Sequence, residues 1–379
     1  MNIKFKFGLP VVLATIALSS AVSAEHGDYD MKPNGCKGVT LCTAYPECIE
    51  CHNLHFDIGF LLEEMRVTNT TFGYKTEGQP VLQPSGLAEC VQCVEMLRPS
   101  FDLDWGLTVS AGYYFDHDEW FLDFNFDWLN GKGKRRVTTC GTQYIVPTGI
   151  SGCIFGQENI PAIDEIREAN ARLRVNYFML QGSLNRASYI SNLVAIEPHW
   201  GLKVAWIDYK NETDFCAAQD EGTPSRFVSR TQKTNFWGIG PHFGLDSKWG
   251  LCDSWSLFCD NSIGLLFGTS CVNDRTNVNP AVPPTRGNNC CLDTITKAHE
   301  KVRVMTPVTR AIIGIQYDKC ICDDTQHVTF RAGLDTHYYW NQWQHINALT
   351  NANGYARFFS VDNSSFSMLG LIVDFGWDF

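Results

Sequence analysis

The sequence predicts an all-β protein, a transmembrane, antiparallel, up-and-down β-barrel of the bacterial outer membrane with about 10–14 strands. Three observations predict it. The stretch Ser367 to Phe379 alternates apolar with small or acidic residues and stops on an aromatic. The chain begins with a secretory leader, yet no later apolar run is long enough for a helical span. Ten alternating segments then follow one another through connections that are alternately short and long.

In the last stretch Leu369, Leu371, Val373, Phe375, Trp377 and Phe379 share one parity, with Gly370, Asp374, Gly376 and Asp378 on the other. A strand sends alternate side chains to opposite faces, so one face is apolar and the other small or acidic. A terminal strand ending in Phe suits the closing strand of an outer-membrane barrel, with its apolar face toward lipid and the other toward the lumen.

At the other end Lys4 and Lys6 precede the apolar run Leu9 to Leu18, and Val22, Ser23 and Ala24 suit cleavage before Glu25. Residues 1–24 therefore read as a signal peptide, 25–53 as a Cys-rich lead segment and 54–379 as a barrel with long loops. Losing Lys4 and Lys6 takes the formal net charge from -11 to -13. Such an acidic chain argues against nucleic acid as a partner. Outer-membrane lipid is the expected surrounding, with the barrel assembly machinery a partner during insertion.

Taken in order, Phe56, Ile58, Phe60 and Leu62 alternate with Asp57, Gly59 and Glu63, in a strand expected to continue past a break at Arg66 to Thr70 as far as Tyr74. From Phe101 to Phe115 every odd residue is apolar, opposite Asp102, Asp104, Gly106, Thr108, Ser110 and Gly112. After a tight turn at Asp116 to Glu119, Trp120, Leu122, Phe124, Phe126 and Trp128 oppose Asp123, Asn125 and Asp127, which completes a hairpin. Further segments are Leu173 to Leu180, Gly201 to Tyr209, Phe236 to Trp249, Trp255 to Phe267, Val308 to Tyr317 and Val328 to Trp340. Ala171 to Ile196 also fits an amphipathic helix, and Ile160 to Ala171 a short one, with Pro161 and Asp164, Glu165 and Glu168 near its start. Ten strands is a floor, because Arg136 to Val146 and the break near Arg66 can each add one.

The expected short connections are 116–119, 182–198, 250–254 and 318–326; the long ones are 76–98, 131–170, 210–233, 269–299 and 342–365. Aromatics on the apolar parity gather at strand ends. Tyr113, Phe115, Trp120, Trp249, Trp255, Tyr317, Trp377 and Phe379 lie at turn ends, and Trp128, Trp237, Phe267 and Trp340 at loop ends. These are the expected membrane-interface girdles. The opposite parity makes Asp102, Asp104, Asp123, Asp127, Lys203, His242, Asp246, Lys248, Arg310, Arg331, Asp335, His337 and Asp374 pore-lining, with Asp378 beside them, and acids outnumber bases.

The 16 cysteines all lie beyond the cleavage site. In an oxidising compartment Cys36, Cys42, Cys48, Cys51, Cys90, Cys93, Cys140, Cys153, Cys216, Cys252, Cys259, Cys271, Cys290, Cys291, Cys320 and Cys322 are disulfide candidates, within the chain or to neighbouring molecules. Zinc at pairs such as Cys48 and Cys51 is the lesser reading, since the pairs lack zinc-ribbon spacing to one another.

Trp237 to Gly268 carries a resemblance. Gly238, Gly240, Pro241, Gly244, Leu245 and Asp246, a short turn, and then Ser262, Leu265 and Gly268 resemble the Legionella-type major outer membrane protein family, which also occurs in environmental relatives of chlamydiae. Pro198 to Lys203 and the hairpin Phe101 to Trp128 are similar to that family as well. The resemblance implies a Cys-rich, porin-like barrel abundant at the cell surface, within a disulfide-linked envelope of itself or other Cys-rich proteins. Long loops pinned by disulfides would then fold inward as a constriction or plug.

Two functional classes follow. One is a channel for diffusion of small hydrophilic solutes; the other is a structural envelope protein or adhesin whose barrel is only an anchor, the reading that a filled lumen would favour. An enzyme is the third class. It is disfavoured because the sequence has no G-x-S-x-G, H-E-x-x-H, phosphate loop or dinucleotide fingerprint. His117 between Asp116 and Asp118 reads as a hydrated turn. No catalytic residue, metal site or cofactor is expected.

Overall fold

Ten strands close into a single antiparallel ring in a computed structural model. The structure describes residues 54–77, 81–82, 88–89, 93–115, 120–148, 166–191, 193–217, 227–252, 254–279, 293–321, 326–350 and 357–379. The strands are β1 Leu54–Val67, β2 Leu103–Tyr114, β3 Trp120–Thr138, β4 Ile166–Arg186, β5 Val194–Ala217, β6 Phe227–Cys252, β7 Trp255–Asn279, β8 Asp293–Ile321, β9 Gln326–Thr350 and β10 Arg357–Asp378. Each pairs with its neighbour in sequence, and β10 returns to pair with β1 in the register Leu62 to Leu371 and Phe56 to Trp377. Closure removes both sheet edges, the condition for a sheet to cross lipid with its backbone groups satisfied.

Each segment singled out by alternation coincides with one of these strands, but the bounds differ: Phe101 lies ahead of β2 and Phe115 beyond it, and several strands are longer than expected. The expected loops 210–233, 269–299 and 342–365 are largely strand, and 131–170 is strand at both ends: β3 and β4 frame 131–170, β5 and β6 frame 210–233, β7 and β8 frame 269–299, and β9 and β10 frame 342–365. The helices considered at 160–171 and 171–196 are corrected by β4, which is extended from Ile166 onward; residues 160–165 lie outside the described residues. The first strand does not reach Tyr74. It ends at Val67, and Asn69, with φ of 60°, turns the chain. Gly73–Glu77 instead pairs with Cys93–Leu97 and Gln143–Pro147 in a separate three-stranded sheet. The signal peptide, the lead segment and the turn 116–119 lie outside the described residues.

The reason for the long strands is an inversion of polarity along them. Near the turns the outward residues are apolar, as at Phe56, Ile58, Phe60 and Leu62 on β1 or Leu369 to Phe379 on β10. Nine to eleven residues of that kind cross the roughly 25 Å apolar band of an outer-membrane barrel. Beyond it the outward positions turn polar: Glu64 and Arg66 on β1, Lys132 and Lys134 on β3, Arg172 and Arg174 on β4, Asp208 and Lys210 on β5. The inward positions change in the opposite sense, to Met65, Leu129, Leu173, Val175, Tyr177, Tyr209 and Phe236, which form the main buried core. Above the band the barrel thus has an ordinary water-soluble wall around an apolar interior, and period-two alternation persists with its faces exchanged. The three-stranded sheet adds to this interior. Its Leu97, Ile145 and Val146, with Phe72, pack on Ala169 and Ala171 of β4, Phe215 of β5 and Val228 of β6, across the loop end of the lumen.

Candidate functional site: the lumen of the barrel

The lumen is layered. Nearest the turns runs a chain of ionisable groups set by the inward parity of five strands. Asp57 on β1 meets His55 Nε2 at 2.8 Å, and His55 Nδ1 binds Asp378 of β10. The second oxygen of Asp378 pairs with His327 Nδ1 of β9 at 2.6 Å, and His327 Nε2 faces Asp318 of β8 at 3.3 Å. Asp318 also accepts a hydrogen bond from Lys248 Nζ of β6 at 2.7 Å. Beside this chain lies a cavity of about 520 Å³, lined among others by Asp123, Glu197, His199, Asp246 and Asp260.

A second layer is held by Arg331. Its Nε donates to Asp374 at 2.7 Å, while Asp57 and Asp260 lie 3.6 and 3.7 Å from its terminal nitrogens. Across from it His199 Nδ1 approaches Asp246 at 3.2 Å, and Ser183 on β4 meets His242 Nε2 at 3.0 Å.

The third layer crosses the barrel. Arg310 of β8 forks onto Asp335 of β9, with Nη2 at 2.6 Å, and Nη1 reaches Asp127 of β3 at 3.1 Å. β3 and β8 are five strands apart in a ring of ten, so this ion pair spans opposite walls. Asp127 is completed by Thr108 Oγ1 at 2.7 Å. A planar guanidinium serving two carboxylates in this way suits a buried position better than an ammonium would. Around it Asp127 and Asp335 are 0% exposed, and Lys203 and His337 1%. Glu63, also 0% exposed, lies here with neither carboxylate oxygen hydrogen-bonded. An oxygen of Glu63, an oxygen of Asp335 and a nitrogen of His337 all lie within 4.8 Å of one another, the one group among the described residues with donors placed to hold a metal ion.

Above this the apolar interior begins with Tyr177 of β4 and Tyr339 of β9, whose hydroxyls are 2.7 Å apart, again from strands five apart. Tyr209 donates to Gln342, Thr234 donates to the Gln344 carbonyl at 3.0 Å, and Trp343 and Phe366 pack beside them.

Of the residues assigned to the lumen by parity, Asp127, Arg310, Asp335 and His337 come together in the central layer, Arg331 with Asp374 in the second, and Lys248 with Asp318 near the turns. Lys203 lies in the central layer, His242 and Asp246 in the second, and Asp123 on the cavity near the turns. Asp104 departs from the group and accepts a hydrogen bond from the Lys132 backbone at an exposed site, and Asp102 is exposed ahead of β2. His55, Asp57, Glu63, Glu197, His199, Asp260, Asp318, His327, Tyr177 and Tyr339 were missed. The outward aromatics Trp105, Trp200, Trp206, Trp237, Trp255, Phe267, Trp377 and Phe379 are among the large apolar residues most exposed on the surface. Trp206 pairs across strands with Trp237, and Trp128 lies edge-on to Trp105 at 5.4 Å.

Among the described residues the disulfide candidates divide into free and bonded thiols. Cys140, Cys216, Cys259 and Cys271 are free thiols, whereas Cys320 is disulfide-bonded. Cys216, Cys259 and Cys271 occupy the outward parity of β5 and β7, where neighbouring strands present no thiol. Of the other candidates, Cys36, Cys42, Cys48, Cys51, Cys90, Cys153, Cys290, Cys291 and Cys322 lie outside the described residues, as do the side chains of Cys93 and Cys252. No helix among the described residues is long and apolar enough to cross a membrane.

Comparison with known proteins agrees with this architecture. Residues 50–379 match the family model described as the Legionella pneumophila major outer membrane protein precursor. No curated protein matches. Among solved structures, the outer membrane protease OmpT from Escherichia coli is 10% identical with a TM-score of 0.39, over 90% of this chain and 99% of that one. The TodX deltaS2S3 mutant, a monoaromatic hydrocarbon channel, is 6% identical with a TM-score of 0.27, over 87% and 91%. A Pseudomonas aeruginosa FadL homologue is 6% identical with a TM-score of 0.25, over 87% and 90%. At these values no activity passes from those proteins to this chain.

Proposed function

The chain belongs to the family of the Legionella pneumophila major outer membrane protein precursor, and on that footing we propose that it is a sealed outer-membrane barrel that anchors a charged, strand-built structure at the cell surface. Its place is the outer membrane of a Gram-negative bacterium. The observation that carries the proposal is the bridging of opposite walls at two levels, Arg310 to Asp127 and Tyr177 to Tyr339. Side chains that face a water-filled pore remain accessible, whereas those of the central layer are buried. A ring of ten strands is also far smaller than the 16–18 strands that leave an open channel in porins. In this reading the wall and its extensions act, through contact with lipid and with neighbouring envelope proteins. The exposed Cys140 and the outward Cys216 and Cys271 favour lateral disulfides to such neighbours.

Diffusion of small hydrophilic solutes is the second reading. What favours it is the acidic cavity on the turn side, which reaches Arg310; a cation-preferring path needs the two bridges, the residues packed around them and the three-stranded sheet beyond them to part. Single-channel recording in planar lipid bilayers, with and without reductant and across opposed salt gradients, separates the two. Insertion without steady conductance is the expected result. Steady cation-preferring channels would overturn the sealed barrel in favour of a porin.

A further inference from the structure

We propose that Glu63, Asp335 and His337 form a binding site for one divalent first-row transition metal ion in the middle of the barrel wall. The proposal stands whether or not the lumen conducts, since it concerns how one side of the wall is held together.

The site is built by register. Glu63 on β1 lies opposite Gly370 on β10, and Gly370 lies opposite Asp335 on β9. Two acidic side chains thus flank a residue with no side chain, and they can converge over it. The space is used: a Cβ on Gly370 would come within 2.8 Å of Glu63 Cγ and would overlap the Leu62 carbonyl. His337, two residues along β9 on the same face, supplies the third donor.

The polar accounting of the layer leaves Glu63 over. Arg310 satisfies Asp127 and Asp335, and Thr108 completes Asp127. Both oxygens of Glu63 are buried without a hydrogen-bond partner, and so is Nδ1 of His337. An unpaired buried carboxylate is strongly unfavourable. Protonating it adds an O–H that itself needs an acceptor, and Glu63 makes no hydrogen bond in the structure. A cation bound between Glu63, Asp335 and His337 gives the Glu63 carboxylate and the His337 imidazole a partner, with Asp335 shared between it and Arg310. The contact of His337 Nε2 with Asp335 at 3.1 Å holds the imidazole against the second ligand and leaves Nδ1 without a hydrogen-bond partner. One nitrogen and two carboxylate donors suit zinc, manganese or ferrous iron better than calcium, which takes oxygen alone, or cuprous ion, which takes sulfur.

The test uses full-length protein refolded with Zn²⁺ or with chelator, then dialysed and analysed for metal, and a Co²⁺-loaded sample examined by visible absorption. Cysteines are the competing ligands, and thiolate-bound cobalt shows intense near-ultraviolet charge-transfer bands that a nitrogen and oxygen site lacks. The expected result is about one tightly held zinc per chain beyond what Glu63→Gln and His337→Asn retain, with d–d bands free of that charge transfer. Gly370→Ala, which crowds Glu63, should lose the same equivalent. Zinc retention equal in wild type and Glu63→Gln, or cobalt bound through thiolate alone, would overturn the site. Should the variants fail to fold, the wild-type cobalt spectrum decides by itself.

Discussion

The hydroxyls of Tyr177 and Tyr339 meet at 2.7 Å although they come from strands on opposite sides of the ring. Together with Arg310 and Asp127 one layer below, they bridge the lumen at two levels. If that contact is the seal, removing the two rings and the guanidinium should open it. The triple variant Tyr177→Ala, Tyr339→Ala, Arg310→Ser is expected to raise bilayer conductance at least tenfold over wild type. Unchanged conductance would show that the seal lies elsewhere, for which the three-stranded sheet at the loop end is the next candidate.

The central ion pairs predict an asymmetric stability effect. Arg310→Met leaves Asp127 and Asp335 buried without their common cation, an arrangement that costs about 3–5 kcal/mol. Replacing all three groups with apolar residues of similar volume should cost far less, since it also removes the stranded charges. Urea unfolding in phospholipid vesicles measures both, and equal losses in the single and triple variants would refute the account.

How much of this was readable beforehand depends on which face carried the signal. Phe56 to Leu62 and Leu369 to Phe379 are apolar toward lipid and small or polar inward, so parity alone assigned them. On β4 the signal degrades because Tyr177 and Met179 face inward while Phe178 and Leu180 face outward. Both faces are apolar where the polarity inverts, and a helix fits such a run equally well. Glu197 and His199 escaped because β5 starts several residues before the alternation becomes plain at Gly201, and His327 because it sits one residue ahead of the segment that begins at Val328. His55, Asp57 and Glu63 were readable from the parity of β1. Their partners were not, because which residue of β9 faces Glu63 depends on the stagger fixed when the ring closes. The placement of Gly370 between two acids belongs to that stagger and to no local pattern.

The inversion of polarity makes the position of the apolar band testable. Ile58 is the central one of the five exposed apolar residues of β1, Leu54, Phe56, Ile58, Phe60 and Leu62, and Arg174 lies beyond the band on β4. Ile58→Lys should cost roughly 2–4 kcal/mol of folding stability in vesicles. Arg174→Leu should change it by no more than about 0.5 kcal/mol. Equal effects would mean that the band has been set at the wrong height.

The free thiols offer a check on topology that needs no new variant. Cys140 is exposed, Cys216 is half-buried above the band, and Cys259 is buried on the outward face within it, 3.1 Å from the Asn261 amide nitrogen. Burial, followed by the carboxylates of Glu168 and Asp214, pushes the Cys216 thiol above its ordinary pKa, so less of it is thiolate at neutral pH. Alkylation of reconstituted protein by a water-soluble maleimide, read peptide by peptide, should therefore run fastest at Cys140 and more slowly at Cys216. The Cys216 rate should keep rising as the pH is taken through and above the usual thiol range. Cys259 should react only after the barrel is unfolded. Rapid labelling of Cys259 in the folded protein would place β7 outside lipid and contradict the register on which the whole ring depends.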